Sequence, residues 1–410
     1  MWDHARWGSY DDPIHKSDLN GIIGKFGCTE QFRRKKIERA TGKRTYENAS
    51  GKLCAGNAVH NVIARVLRSE PARAVVLNPE LGIITEESLR ISFEQEFEKE
   101  RAGRPVDWWK QNADTWKREQ VKLLFGLMQD MHNHVGEVVL VEAGFIYALD
   151  GVWLTGMTDL VYRAPGSDKI SFCDWKSGAQ KPHQIDLDHG WEGGIYSAAL
   201  KHAWFIPGEN VVAPPGIEHR DAVESACIEV AQLLLQMGDP ARQPTLPGIE
   251  DLRADLQVLV AQYKAHYFGE FPDQIRYVFL RDYIPYAKGG SKTPARPEDL
   301  AFHGLTSPAK VKYSKGETRG PAWLHVQRRE SDIQRLRNLL SAVVSWVRHG
   351  KFAAAPGEMC TRCKFRTPCL NDGYQPTGTE AAQLDVAIEA LYIGDAADVF
   401  DGGLSDLDSV

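Results

Sequence analysis

The sequence predicts an α/β fold, and three features of the 410-residue chain predict it. Apolar residues recur at helical spacing over about 52–68, 84–101 and 107–134. Strand-like runs follow at 138–149, 152–162 and 169–176, joined by short turn-forming stretches. Helical patterns then return at 185–204, 220–237 and 250–266, before a further strand-like run at 275–280. One chain therefore carries both periods, as a sheet with helices packed on it requires.

The first helix holds Ala55, Val59, Val62, Ile63, Val66 and Leu67 on one stripe, so that face turns to a core. Gly56 lies one turn before His60 and allows another backbone to approach closely. In the strand region, Asp150-Gly151 is the pair expected at a two-residue hairpin turn. The second turn, Ala164-Pro165-Gly166-Ser167-Asp168, is rich in residues that reverse a chain. The stretch 282–320, rich in Pro, Gly and Lys, reads as a long, mildly basic loop. Inside it, Gly289-Gly290-Ser291-Lys292-Thr293 imitates a phosphate loop, but the spacing fails, so the chain shows no helicase motor. A last strand and a helix, from about 329 to 349, lead to the C-terminal cysteines.

The second hairpin brings chemistry together. Asp159 ends one apolar run, and Asp174-Trp175-Lys176 ends the next. Antiparallel pairing places the two carboxylates on neighbouring strands, and period-two alternation turns Asp174 and Lys176 to one face. Two acidic oxygen donors beside an ammonium suit a hard divalent cation that activates water against a phosphodiester. An ordinary surface ion pair would use the same residue types. His60 is read as a structural helix histidine or, beside such a hairpin, as a further metal ligand. Glu192 and Tyr196 are four apart in the following helix and share a face that looks back at the hairpin.

Three of the seven cysteines, Cys360-x2-Cys363-x5-Cys369, lie within ten residues, and Cys28 stands far away. Three soft ligands need a fourth; the spacing fits a zinc site or an iron–sulfur cluster alike. Cys54, Cys173 and Cys227 sit in apolar surroundings and read as core residues.

In their order along the chain these motifs resemble the PD-(D/E)xK nuclease superfamily, in its RecB-like branch carrying an iron–sulfur cluster. That branch includes AddB-type, exonuclease V-like and CRISPR-associated RecB-type nucleases. The order is Cys28, then Gly56-x3-His60, Glu142 on a strand, Gly156-x2-Asp159, and Asp174-x-Lys176-x-Gly178. A Q-x3-Y-like helix, Glu192 to Tyr196, and the cysteine trio complete it, so the resemblance spans residues 17–370. Two positions depart from the pattern. Glu192 replaces the family's Gln, which turns a neutral donor–acceptor into an acceptor, and Thr29 stands where relatives often have Pro.

The resemblance implies a restriction-endonuclease-like core, a central mixed sheet flanked by helices, with helical insertions at about 77–135 and 205–320. It implies one nuclease domain over 1–370, closed by a 4Fe-4S cluster on Cys28, Cys360, Cys363 and Cys369. It also implies Mg²⁺ or Mn²⁺ held by His60, Asp159, Asp174 and the carbonyl of Trp175, with Lys176 orienting the attacking water. Tyr196 and Glu192 would position the DNA backbone, and Glu142 would give a second metal site or support the first. The expected activity is a DNA exonuclease on single strands or ends, in recombination, repair or phage DNA metabolism, with a helicase or recombinase as partner. A catalytically inactive cluster-bearing DNA-binding subunit and an unrelated zinc-stapled protein are the other readings.

Composition is compatible with a large core: 43% of residues are hydrophobic and 25% charged. No run reaches transmembrane length, and the N-terminal residues lack the apolar core of a signal peptide, so a cytoplasmic setting is expected. The formal net charge of −6 is concentrated in 371–410, which holds nine acidic residues and no Lys or Arg; residues 1–370 then carry +3. This acidic tail is expected to be flexible or to bind a partner. Arg33 to Arg44 contains seven cations against one acid, which reads as a phosphate track or as a solvated helix face.

Overall fold

The computed structural model describes residues 2–23, 28–41, 49–108, 113–177, 187, 190–207, 217–238, 249–283, 322–326 and 328–352. The expected loop over most of 282–320, the acidic tail, Gly178, and Cys360, Cys363 and Cys369 lie outside the described residues.

Among the described residues the helices are α1 (Lys16–Ile23), α2 (Thr29–Thr41), α3 (Gly51–Arg68), α4 (Glu70–Leu77), α5 (Glu86–Arg101), α6 (Ala113–Asp130), α7 (Trp191–His202), α8 (Ile217–Gly238), α9 (Ile249–Tyr263) and α10 (Glu330–Arg348). The strands are β1 (Ile14–His15), β2 (Ala49–Ser50), β3 (Val106–Asp107), β4 (Glu137–Leu149), β5 (Val152–Arg163), β6 (Ile170–Lys176), β7 (Trp204–Pro207), β8 (His266–Tyr267), β9 (Ile275–Phe279) and β10 (Trp323–Val326). The expected first helix, the hairpin strands and the expected run at 275–280 fall within a few residues of these bounds. Where one helix was expected over 107–134, a two-residue strand precedes a shorter helix, and α4 was not anticipated.

The principal sheet has eight strands, in the order β10-β9-β6-β5-β4-β7-β8 with β1 paired to β5. It is mixed. β5 and β6 are antiparallel, with Leu160 opposite Cys173, whereas β6 and β9 run parallel, with Asp174 beside Tyr277 and Lys176 beside Phe279. A mixed sheet with helices packed on it is the restriction-endonuclease-like arrangement that the motif order implies. Asp150 and Gly151 turn the β4–β5 hairpin with φ of 48° and 78°, the left-handed pair that matches strand twist.

By contacts the chain divides into two compact units. The first comprises 1–46, 148–155 and 331–410, and the second 47–147 and 156–330.

In the second unit, α3 buries Ala55, Val59, Val62, Ile63 and Leu67 of the stripe read from the sequence; Val66 is partly buried, and Ala58 is buried as well. Each fully buried Val, Ile or Leu contributes roughly 1.5–3 kcal/mol. The same core takes Phe93 and Phe97 of α5, Leu124 and Leu127 of α6, and Leu160, Cys173 and Trp175 of the sheet. The helices of the segment 77–135 are thus built into this core. At its edge Tyr283 donates to Asp130 (2.6 Å) and accepts from Trp323 (2.7 Å), while His134 stacks on Trp323. Gly126 makes room for Tyr283, since a Cβ there would lie 2.6 Å from the tyrosine Cβ. Burial alone would raise the Asp130 carboxyl, but hydrogen bonds from His134, Tyr283 and Asn133 hold it down at about 2.

In the first unit, three cations of the basic stretch pair with acidic residues. Lys36 is buried between Asp12 (3.1 Å) and Asp18 (2.9 Å). Arg33 and Arg34 both pair with the buried Glu30, at 2.7 and 2.6 Å. Lys36 is thus an internal cation, which neither expectation foresaw, while Arg33 and Arg34 are partly exposed and share one buried carboxylate. Among the described residues, no helix is long and apolar enough to cross a membrane.

Candidate active site

All the described candidate residues of the hairpin site belong to the second unit. The paired rungs of β5 and β6 end at Leu160 and Cys173. One step further, the Asp159 carboxylate replaces the ladder: its Oδ2 accepts the Trp175 N–H at 2.6 Å. That bond fixes the carboxylate, whose Oδ1 lies 3.5 Å from His60 Nδ1. Glu142 Oε1 lies 3.9 Å from the same nitrogen. Gly156, three residues before Asp159, admits the Phe145 ring, whose Cζ would be 2.7 Å from an added Cβ.

Glu142 reaches this place through an irregular backbone. Its φ is 47°, left-handed within a long strand, where a non-glycine residue costs about 1–3 kcal/mol. Regular alternation would continue along β4; the irregularity re-aims one carboxylate. On α3, Gly56 faces Ser177 Oγ at 3.3 Å from a notional Cβ, so a side chain takes the space where a backbone was expected.

Asp174 is 3% exposed and accepts the Tyr196 hydroxyl at 2.9 Å. Its other oxygen lies 2.5 Å from Lys176 Nζ, which is also 3.5 Å from Glu192 and 5.3 Å from the centre of the Tyr277 ring. Tyr196 is buried, stacked on Phe172 at 4.0 Å, so its hydroxyl faces Asp174. Burial pushes that hydroxyl's pKa well up, and the Asp174 charge adds to the push, so it stays a donor.

The donor atoms of His60, Glu142 and Asp159 all lie within 4.8 Å of one another. Mg²⁺ with bonds of about 2.1 Å holds neighbouring ligands about 3 Å apart and opposite ones about 4.2 Å apart, which brackets the distances from His60 to Asp159 and Glu142. Among the described residues, the carboxylates Glu142, Asp159, Asp174 and Glu192 gather around His60 and Lys176, a density of negative charge that suits a divalent cation. Burial pulls the His60 imidazole down, but Asp159, then Glu142 and Asp174, carry it up to about 9. These oxygen and imidazole donors fit Mg²⁺ or Mn²⁺.

Two expected ligands, Asp174 and the Trp175 carbonyl, stand outside the cluster of His60, Glu142 and Asp159. Glu142 joins His60 and Asp159 directly, whereas Asp174 is engaged by Lys176 and Tyr196. The donation that fixes Trp175 comes from its N–H. A weak signal for Glu142 was present: an acidic residue inside the apolar run Val138–Phe145. Cys28 is half-buried and its Sγ accepts the Gln31 N–H at 3.5 Å; its expected partners lie outside the described residues.

The family model of the PD-(D/E)XK nuclease superfamily matches residues 27–370. The chain belongs to the PD-(D/E)XK nuclease superfamily. Members of this superfamily are nucleases that use divalent metals, as the donor set of this centre suits. No curated protein matches the chain.

Proposed function

We propose that this member is a metal-dependent deoxyribonuclease, an exonuclease acting on single-stranded DNA or DNA ends. The observation that carries the reading is the convergence of His60, Glu142 and Asp159 on one point beside the Asp174–Lys176 pair. His60, Glu142 and Asp159 would hold the divalent ion, with Asp174 alongside. When bound, Mg²⁺ or Mn²⁺ supplies Lewis acidity, acidifying water and polarising a phosphate oxygen.

The protein's own residues do the positioning. The Trp175 N–H holds one oxygen of Asp159, leaving the other toward His60. Tyr196 fixes the rotation of the Asp174 carboxylate. Lys176, partly exposed, orients the attacking water and offsets charge that develops on the phosphate. Glu192 holds the ammonium from the helix side.

Cys28, Cys360, Cys363 and Cys369 would hold a 4Fe-4S cluster with a structural role, crosslinking distant parts of the chain. Support comes from the packing before Cys360. Trp2 packs against both Phe32 and Phe352, and Arg33 lies 6.0 Å over the Phe352 ring, which brings residue 352 to the helix that Cys28 precedes. Eight extended residues span up to about 28 Å, enough to return to Cys28.

The test is degradation of end-labelled single- and double-stranded DNA with Mg²⁺ or Mn²⁺, wild type beside Lys176→Ala, both purified anaerobically. A product ladder lost in the mutant supports the reading; equal activity in both removes it. Iron content in the same preparations, against zinc, decides the cofactor.

A further inference from the structure

We propose that Arg328 is a positioning residue for this centre, holding the first turn of α7 so that Glu192 faces Lys176; the inference rests on the nuclease reading above. The start of α7 is weak by its own sequence. Its N-cap is Gly190, which offers no side-chain hydrogen bond, and two of its first four residues are Gly193 and Gly194. Each glycine costs a helix about 1 kcal/mol relative to alanine, and an uncapped start leaves amide donors unsatisfied.

Arg328 braces this start from outside, although a donor-only guanidinium leaves the first-turn amides uncapped. Its guanidinium lies against Gly193, where a Cβ would come within 2.0 Å of Nε, 2.1 Å of Nη2 and 2.3 Å of Cζ. The glycine is therefore a cradle for this side chain. Arg328 Nη2 donates to the Leu187 carbonyl at 2.6 Å, the same carbonyl that accepts the Gly190 N–H at 3.3 Å. One planar group thus clamps the entry and the first turn of the helix. Glu192 sits in that turn, 3.5 Å from Lys176, which in turn contacts Asp174. Displacing the guanidinium lets the turn move and takes Glu192 off Lys176.

The test is a double-mutant cycle on the full chain, with Arg328→Ala, Gly193→Ala and the pair, and with Lys176→Ala as the inactive reference. Steady-state cleavage of a labelled oligonucleotide and thermal melting are both measured. Arg328→Ala should lower kcat by about tenfold to a hundredfold, the scale of a small misplacement of a reacting group. KM should stay within about twofold, because substrate binding is not what the clamp supplies.

Gly193→Ala should lower kcat similarly while Arg328 is present. In the Arg328→Ala background it should be neutral or raise both kcat and the melting temperature, since alanine favours the helix. Arg328→Lys keeps the charge without the planar face and should not restore kcat.

Unchanged kcat in Arg328→Ala beside a dead Lys176→Ala overturns the proposal and leaves the nuclease reading standing. So does a Gly193→Ala effect that is the same in both backgrounds, in melting as in rate. A wild type that cleaves nothing removes the nuclease reading and this inference with it.

Discussion

Tyr196→Phe isolates one hydrogen bond at the centre of the site. The ring stays: it remains stacked on Phe172 at 4.0 Å and inside the same apolar surroundings. What disappears is the O–H donated to Asp174 at 2.9 Å, both partners being buried. A hydrogen bond to a charged group is worth about 1.5–3 kcal/mol net. If Asp174 is held in its working rotation by this bond, the loss passes into the transition state. At about 1.4 kcal/mol per decade, kcat falls between about tenfold and a hundredfold.

Asp174 keeps its contact with Lys176, so the variant should remain folded and retain its divalent-ion binding. Single-turnover cleavage of an end-labelled strand at saturating Mn²⁺ measures the effect, and titrating Mn²⁺ separates ion binding from chemistry. A kcat equal to wild type, with Asp174→Ala inactive, would refute the claim that Tyr196 orients Asp174. A loss confined to substrate affinity would refute it as well, because a buried hydroxyl cannot act by touching DNA.

Three further outcomes follow from the geometry. Glu142→Gln removes one of the crowded carboxylates; the metal-free protein should melt at the same temperature or higher, while the rise on adding Mn²⁺ shrinks, as calorimetry will show. His60, carried up to about 9, is protonated at neutral pH without metal and must release its proton to coordinate. Divalent-ion affinity should therefore rise with pH up to about 9, and calorimetry in two buffers should detect about one proton released. The same shift has the opposite sign for the metal-free fold: its contribution is fully present below the ordinary histidine pKa and is lost as pH climbs through about 9. Asp130, held at about 2, contributes stability present above the ordinary carboxylate pKa and lost as pH falls toward 2. Denaturant titrations at pH 4.5 and 2.5 should show wild type losing about 1.5 kcal/mol more than Asp130→Asn.

Some of this protein was determined by its sequence alone. The α3 stripe, the Asp150-Gly151 turn and the strands that carry Asp159 and Asp174 are local facts, because residue period and turn chemistry act over a few positions. The pairing that sets Asp159 beside Asp174 follows from the short turn between their strands. Glu192 and Tyr196 share a face by helical spacing alone.

Other features needed the folded chain. Glu142 joins His60 and Asp159 because one residue of β4 adopts φ 47°, which its neighbours in sequence do not announce. Tyr196 is buried on Asp174 rather than reaching outward, a matter of how α7 packs on the sheet. Lys36, in the middle of a basic run, is enclosed by Asp12 and Asp18, and only long-range contacts could tell an internal cation from a surface one. Arg328 meets Gly193 across a separation no local pattern spans. The division has one physical cause: backbone preferences are local, whereas charge pairing and close approach depend on which distant segments the core brings together.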